Sequence, residues 1–370
     1  MSFGARAIIR LGALRHNLAH IRAQLPDARV MAVVKANAYG HGLVEVAREL
    51  RSVDAFAVAR FQEAVAIRDA GLDNPVVLLS GVYSGAELAA AADSGFQPVV
   101  HSDEQLALLD AHRGRPATVW LKFDTGMTRL GFDPSAAPGL IARLGGHRAV
   151  AELRLMTHLA SADETENPVT DEQVRRFAAV TRGFDGDVSF ANSPGLLGWR
   201  HCSEAREALG FSGELWIRPG VALYGISPFE DQTGRDLGLE PVMQFEARVI
   251  AVKPLRRGAR VGYKGTFTAA EDSTVGIIAA GYGDGYTRHF RTGTPVLLNG
   301  RRVPVIGKVS MDMLAVDLGK QARDRPGDIA VLWGDGLSVE EVAAYADAIP
   351  YELVCGIMNR EPSVAVEGID

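Results

Sequence analysis

The sequence has few cysteines, no excess of positive charge and no long apolar run. Its two cysteines, Cys202 and Cys355, lie far apart, which argues against a disulfide framework or a zinc site and predicts a reduced, cytoplasmic location. Lys and Arg total 39 against 45 Asp and Glu, so the net charge of −6 argues against a general nucleic-acid-binding surface, which needs a basic stripe. Apolar stretches are too short to cross a membrane. Arg6, Arg10 and Arg15 interrupt those of the N-terminus, which argues against a secretion signal.

Eight short, continuously apolar runs recur in the first two-thirds of the chain, with helical patterns between them. Such runs are typical of strands buried on both faces, and several helical patterns begin with Ser, Thr or Asp and an early acidic residue. The alternation predicts a (β/α)8 barrel; a doubly wound open sheet is the alternative, and the count of eight favours the barrel. The predicted strands are 30–34, 55–59, 76–79, 98–100, 118–123, 153–157, 188–191 and one near 215–224, and the predicted helices are 43–50, 61–71, 84–95, 102–112 and 170–180.

Near residue 237 the alternation of strand and helix patterns gives way to mainly strand patterns. Apolar runs read as strands, the Asn299–Gly300 pair between two of them is a hairpin turn signal, and only one clear helix follows, at 338–348. We therefore predict an N-terminal barrel domain over 1–236 and a mainly β C-terminal domain over 237–370. The runs are 241–255, 273–282, 295–307, 313–318 and 328–334.

A lysine directly follows the first predicted barrel strand. In "AVVKANAYGHG" (32–42), Lys35 lies at the carboxyl end of that strand, where barrel enzymes build their active sites. Most lysines are solvated, so position alone favours a lysine that simply emerges into solvent. However, an apolar setting lowers the pKa of a lysine, and a neutral amine can form a Schiff base.

The ends of later strands carry polar residues that strengthen the functional interpretation. The fifth strand ends in "WLKFDTGMTRLGF", which holds Lys122, Asp124 and Arg129, and His158 follows the sixth strand. Ser193 and Gly220 fall after strands seven and eight, where barrels often bind phosphate. A Schiff-base lysine opposite a phosphate site suggests pyridoxal 5'-phosphate as the cofactor.

Two further patterns do not indicate a site. His16 and His20 lie one helical turn apart, but Asn17 stands where a zinc-protease helix has Glu and no third ligand is evident, so we predict no metal. The "GYGDGY" stretch (281–286) has the wrong spacing for a dinucleotide fingerprint, and no helix follows it.

Seven motifs resemble those of the alanine racemases, a pyridoxal-phosphate family built from a barrel and a β-rich C-terminal domain. In family order they are "AVVKANAYGHG", "KFDTGMTRLGF", "RPGVALYG", "VGYKGTFT", "GYGDGY", "SMDM" and "IPYELVC", and they span essentially the whole chain. The tail "MNREPSVAVEGID" departs from the family, because it lacks the arginine that commonly follows Arg-Val-Pro there.

The resemblance implies a two-base racemisation. Lys35 would hold the cofactor as a Schiff base and then remove or return the Cα proton on one face. Tyr263, supplied by the partner subunit, would act on the other face, because racemisation must take a proton from one side and return one to the other. His158 and Arg218 would form the network behind that tyrosine. Arg218 would also face the pyridine nitrogen and keep it neutral, which disfavours transamination.

The resemblance also implies the binding residues. Arg129 would contact the phenolic oxygen of the cofactor and the substrate carboxylate, and Lys122 matches a position that is carbamylated in many members. Met311 would meet the substrate carboxylate from the partner chain, so we expect a homodimer. The expected phosphate-binding set is Tyr39, Ser193, Gly220, Val221 and Tyr351, and Tyr282 and Asp312 lie in the second-subunit group.

The expected reaction interconverts L- and D-alanine, either to supply peptidoglycan or for catabolism. A racemase of serine or of broader specificity is an alternative; Tyr351 and the aromatic second-subunit set favour a small side chain, although a hydroxyl is only weakly rejected. A non-catalytic pyridoxal-phosphate carrier would lack the C-terminal domain. A barrel decarboxylase would need a cysteine-containing substrate motif in that domain, which Cys355 in "ELVCG" matches poorly.

Overall fold

The computed structural model describes residues 4–357 and the backbone of 365–367. The described chain forms two compact units, and it begins with strand β1 (Arg6–Arg10) and helix α1 (Leu11–Gln24). The barrel unit comprises Asn17–Ala38 and Leu43–Leu223. The β unit comprises the described residues up to His16, the short segment Tyr39–Gly42, and the described chain from Tyr224 onwards.

The barrel unit is a closed ring of eight parallel strands, in which the last strand pairs with the first. Most residues of these strands are buried, as their continuous apolar runs require. The predicted (β/α)8 barrel is therefore confirmed. Its strands are β2 (Arg29–Val33), β3 (Ala55–Val58), β4 (Val76–Leu78), β5 (Phe96–Val100), β6 (Ala117–Lys122), β7 (Val150–Met156), β8 (Val188–Asn192) and β9 (Leu215–Arg218).

Helices follow the barrel strands, and several start as their sequences indicate. The Ser84 hydroxyl accepts a hydrogen bond from Glu87 N at 3.1 Å, which caps one helix. The five predicted helices agree with the structure to within about two residues at each end. The helical segments are α2 (Lys35–Tyr39), α3 (Leu43–Glu49), α4 (Phe61–Asp69), α5 (Gly85–Asp93), α6 (Asp103–Ala111), α7 (Ala137–Leu144), α8 (Val169–Thr181), α9 (Ser193–Leu197) and α10 (Ala205–Leu209).

The β unit is built on a mainly antiparallel eight-stranded sheet, with a separate two-stranded ribbon. Asn299 and Gly300 have φ values of 48° and 77° and form the predicted hairpin turn. The strands are β10 (Met243–Leu255), β11 (Arg260–Val261), β12 (Phe267–Thr268), β13 (Ser273–Ile278), β14 (Pro295–Leu298), β15 (Arg301–Pro304), β16 (Leu314–Asp317), β17 (Ile329–Trp333) and β18 (Ala365–Glu367), and the helices are α11 (Val339–Ala343) and α12 (Pro350–Cys355).

The first strand of the chain belongs to this sheet. β1 pairs antiparallel with β10 and parallel with β18. Arg6 reinforces the first pairing, because its Nε and Nη2 donate to Glu246 Oε1 at 2.8 and 2.6 Å. The unusual tail sequence lies outside the described residues, apart from the backbone of 365–367. Within residues 4–357, no helix has the length and hydropathy to span a bilayer.

Candidate active site

The segment after Lys35 has a strained backbone. Residues 36–39 have φ values of 53–54°, in the left-handed region that non-glycine residues rarely occupy. Two hydrogen bonds anchor the turn: Ala36 N donates to Glu63 Oε1 at 2.6 Å, and Leu43 N donates to Asn37 Oδ1 at 2.9 Å. This turn fixes the point at which half-buried Lys35 leaves the end of the first barrel strand.

Positive charge is concentrated at the carboxyl ends of the barrel strands. Lys122, at the end of β6, is buried. Burial first, and then the charges of Arg218, Arg129 and Lys35, lower the pKa of Lys122 to about 7, against an opposing effect of Asp124. Because four cationic side chains act together here with one carboxylate, the barrel mouth is suited to an anionic ligand.

The guanidinium of Arg218, at the end of β9, is buried and fixed by its acceptors. Its Nη1 donates to Ser189 Oγ at 2.5 Å, and its Nη2 donates to Thr157 O at 2.6 Å and Phe190 O at 3.2 Å. Burial lowers the pKa of Arg218 to about 10, which leaves the side chain charged at neutral pH. The group is therefore a fixed cation with a set orientation.

His158 contacts this guanidinium through its ring. Arg218 Nη2 lies 3.3 Å from His158 Nδ1, and a guanidinium can only donate, so Nδ1 must accept. Burial first, and then the charges of Arg218, Lys122, Arg129 and Lys35, hold the pKa of His158 well below its usual value. The ring is therefore neutral, with its proton assigned by this bonding to Nε2.

Arg129 is carried by a loop that is organised around Asp124. The Asp124 carboxylate accepts from Gly126 N at 2.9 Å, Thr128 N at 3.0 Å and Arg129 N at 3.1 Å. Partial burial alone raises the pKa of Asp124, but hydrogen bonds from backbone N–H groups outweigh it, and the net pKa is lowered. Asp124 was predicted only as one of the polar residues at this strand end, without a specific role. An Asp followed by Thr-Gly is the signal of a side chain that closes its own turn.

The structure brings Ser193, Gly220 and Val221 together at the ends of the last two strands. Buried Ser193 starts α9, and its Oγ accepts from Gly220 N at 2.9 Å and Ala222 N at 3.3 Å. Converging backbone N–H groups and a hydroxyl at tight turns are typical of phosphate-binding loops. Ala222 was absent from the predicted set, since a main-chain donor leaves no mark on residue type.

Two further predicted residues, Tyr39 and Tyr351, belong to the β unit. The rings of Tyr39 and Tyr224 lie 4.9 Å apart between centroids. Burial first, and then interactions with Cys355 and Tyr351, raise the pKa of Tyr39, so its phenol stays protonated at neutral pH. The structure therefore places Tyr39 and Tyr351 close enough to interact.

The remaining predicted residues also lie in the β unit, and several side chains are exposed. Tyr263 is 62% exposed and Met311 48% exposed. The Arg288 guanidinium carbon lies 5.7 Å from the ring centroid of Tyr263 and 5.9 Å from that of Tyr282, within the cation–π range. Gly283 N donates to Met311 O at 2.9 Å, which joins the Tyr282 turn to Met311, and Asp312 is exposed beside it.

Arg260 holds the turn that presents Tyr263 between β11 and β12. Its Nε donates to Gly265 O at 3.2 Å and its Nη2 to Lys264 O at 3.0 Å. Lys264 itself has a φ of 61°, so the turn is tight and strained. Neither Arg260 nor Arg288 was predicted, because both act through geometry rather than through a motif.

Comparison with known proteins covers nearly the whole chain. A family model described as the N-terminal domain of alanine racemase matches residues 9–228, and one for its C-terminal domain matches 242–365. Curated alanine racemases from Vibrio parahaemolyticus and Vibrio cholerae are each 47% identical over 358 residues, covering 96% of this chain and 97% and 96% of theirs. The crystal structure of the biosynthetic alanine racemase from Pseudomonas aeruginosa matches with a TM-score of 0.90 at 40% identity, covering 97% of this chain and 98% of that one.

Proposed function

Because the chain belongs to the alanine racemase family, we propose that it interconverts L- and D-alanine with pyridoxal 5'-phosphate. The observation that carries the proposal is the cationic barrel mouth. There Lys35, Arg129 and Arg218 all lie near enough to lower the pKa values of Lys122 and His158. A lysine at a strand end near two arginines is an arrangement suited to a cofactor with phosphate and phenolate groups.

The donor set fits this cofactor. When bound, it supplies a carbonyl that an amine can attack and an electron sink for the Cα carbanion. Lys35 would hold it covalently, and Ser193, Gly220 and Val221, at the ends of the last two barrel strands, would receive the phosphate. We propose that Tyr39 and Tyr351 add their hydroxyls to the phosphate, on the basis of the family motifs in which both stand.

Lys35 and Tyr263 are proposed as the two acid–base groups. One group must take the Cα proton from one face of the substrate while the other returns a proton on the opposite face. The exposure of Tyr263 and Met311 within a single chain supports a homodimer in which a partner subunit covers them. Tyr263 would then act as the second acid–base group in the site that contains the partner's Lys35. Met311 would contact the substrate bound there, with Tyr282 and Asp312 beside them.

Arg129 and Arg218 would orient the bound molecules. Arg129 would bind the substrate carboxylate through its guanidinium. The hydrogen bond from Arg129 N to Asp124 holds the loop that carries this side chain. Arg218 always donates, so it would leave the pyridine nitrogen unprotonated and weaken the electron sink. His158 would support Arg218 through its Nδ1 acceptor. A weaker sink favours return of the proton at Cα over transamination.

Serine is the alternative substrate, because a pocket for alanine rejects an added hydroxyl only weakly. The names of the relatives favour alanine. The test is to supply the purified protein with pyridoxal phosphate and measure enantiomer conversion of L-alanine, L-serine, L-lysine and L-arginine by chiral chromatography. Alanine should be converted fastest. If serine or a larger amino acid is converted faster than alanine, that amino acid and not alanine is the preferred substrate. We further propose a cytoplasmic enzyme serving peptidoglycan synthesis or alanine catabolism.

Lys35→Ala tests the assignment of the covalent lysine. This variant should lose the visible absorption of the lysine-bound cofactor and nearly all racemisation. Lys320→Ala is the control, because Lys320 makes a surface ion pair with Glu271 at 2.5 Å and should leave both signals unchanged. Retained activity in Lys35→Ala would show that another group performs this step.

A further inference from the structure

One buried glutamine ties together the two loops that carry Arg129 and His158. Gln173 lies on α8 and is 1% exposed. Its Oε1 accepts from Ala160 N at 2.8 Å, and its Nε2 donates to His158 O at 3.0 Å and to Thr125 Oγ1 at 3.3 Å. Both amide protons and the carbonyl oxygen are therefore engaged, and each bond reaches a loop that follows β6 or β7.

The hydroxyls beside Gln173 form a chain with a defined direction. Thr157 Oγ1 donates its only proton to Phe123 O at 3.0 Å. In the 2.8 Å contact between Thr125 Oγ1 and Thr157 Oγ1, Thr125 must therefore be the donor. The chain runs from the Gln173 amide through Thr125 and Thr157 to the main chain at Phe123. A fully satisfied buried network of this kind allows one arrangement of its members.

Both ends of this network reach the site. Thr157 O accepts from Arg218 Nη2 at 2.6 Å. Thr125 follows Asp124, whose carboxylate holds the Arg129 main chain at 3.1 Å. α8 also packs on this loop, since a Cβ added at Gly126 would lie 3.4 Å from Gln173 Cγ. We propose that Gln173 is a positioning residue, which fixes the Arg129 loop against the His158 loop and so sets the geometry in which substrate is bound.

The same barrel contains a matched clamp away from these residues. Gln105, on α6, is 4% exposed; its Oε1 accepts from His101 N at 2.8 Å and its Nε2 donates to Ser80 O at 3.2 Å and Val82 O at 3.4 Å. It therefore joins the loops after β4 and β5 as Gln173 joins those after β6 and β7. The loops that Gln105 joins carry no residue assigned to the site. Comparing substitutions of Gln105 and Gln173 therefore distinguishes a role in stability alone from a role in positioning the site.

The test compares Gln173→Met with Gln105→Met in the full chain loaded with pyridoxal phosphate. Both changes remove the hydrogen bonds of a buried side-chain amide, so both should lower the melting temperature. Gln173→Met should also raise KM for alanine and lower kcat/KM about ten-fold or more, because misplacing an active-site group by about 1 Å can lower the reaction rate about 100-fold. Gln105→Met should keep kcat/KM within about two-fold of the parent enzyme. Equal effects of the two variants on kcat/KM, or none from Gln173→Met, would overturn the proposal.

Substitutions at Thr125 test the same network if Gln173→Met does not fold. Thr125→Val removes the hydroxyl and keeps the shape, so it should raise KM, whereas Thr125→Ser keeps the hydroxyl and should restore the parent value. Equal kinetics of these two variants would contradict the inference. The inference rests on the proposed function, but the two fail separately: an inactive parent enzyme refutes the function, while an active parent with unresponsive variants refutes the positioning role.

Discussion

Lys122 should react with carbon dioxide, because an unusually large share of its amine is neutral. Its pKa is lowered from 10.5 to about 7. At pH 7 an ordinary lysine is neutral in about one molecule in 3,000, whereas a lysine of pKa about 7 is neutral in about half, a gain of roughly a thousand-fold. The neutral Nζ would form a bond to the carbon of carbon dioxide and lose a proton to solvent, leaving a carbamate anion beside Arg129 and Arg218. Those two cations would stabilise the new negative charge.

Carbon-13 NMR of the cofactor-loaded protein in labelled bicarbonate measures this reaction. We expect one saturable carbamate signal at pH 8 that is absent from Lys122→Gln. The signal should weaken as the pH falls below about 7, because the amine is then protonated and cannot attack. Lys320→Gln, at an exposed ion pair, should keep the signal. No signal under saturating bicarbonate, or a signal that persists in Lys122→Gln, would refute the reasoning.

Two other substitutions test the proposed roles. Tyr263→Phe should slow exchange of the L-alanine Cα proton with deuterated water far more than it weakens cofactor binding. Tyr83→Phe, at another exposed tyrosine, should change neither property. Unchanged racemisation in Tyr263→Phe would show that another group is the second base. Asp124→Asn should raise KM for alanine and lower the free energy of unfolding by about 1–3 kcal/mol, since its carboxylate accepts three backbone N–H groups in the Arg129 loop. Asp133→Asn, which affects a turn at Ser135, should leave KM unchanged, and an equal KM in both variants would remove Asp124 from the positioning of Arg129.

The barrel was predictable because buried parallel strands leave a simple mark. Each of the eight strands is a short apolar run between helix signals, and the residue directly after such a run lies at the barrel mouth. Lys35 could be placed by that rule alone, and Lys122 lies near the carboxyl end of the predicted run 118–123. The end of the eighth strand was less accurate: the predicted run reached residue 224, but β9 ends at Arg218. Pro219 follows and cannot donate a ladder hydrogen bond.

Other features depend on contacts between distant parts of the chain. Nothing in "RAIIR" (6–10) indicates pairing with β10, in which Arg6 faces Glu246, 240 residues later. The left-handed backbone of residues 36–39 is equally hidden, because none of these residues is a glycine that would signal positive φ. Gln173 reads as an ordinary helix residue until the fold brings two loops to its amide.

Racemisation of L-alanine by the parent enzyme tests the central claim most directly. The full chain, supplied with pyridoxal phosphate, would be incubated with L-alanine in deuterated water, and both the enantiomers and Cα deuterium would be measured. We predict that D-alanine appears until the enantiomers are equal, with deuterium at Cα, because the proton must leave one face and return from solvent-exchanged groups on the other. L-alanine that keeps its configuration and its Cα proton while the cofactor is bound would contradict the account.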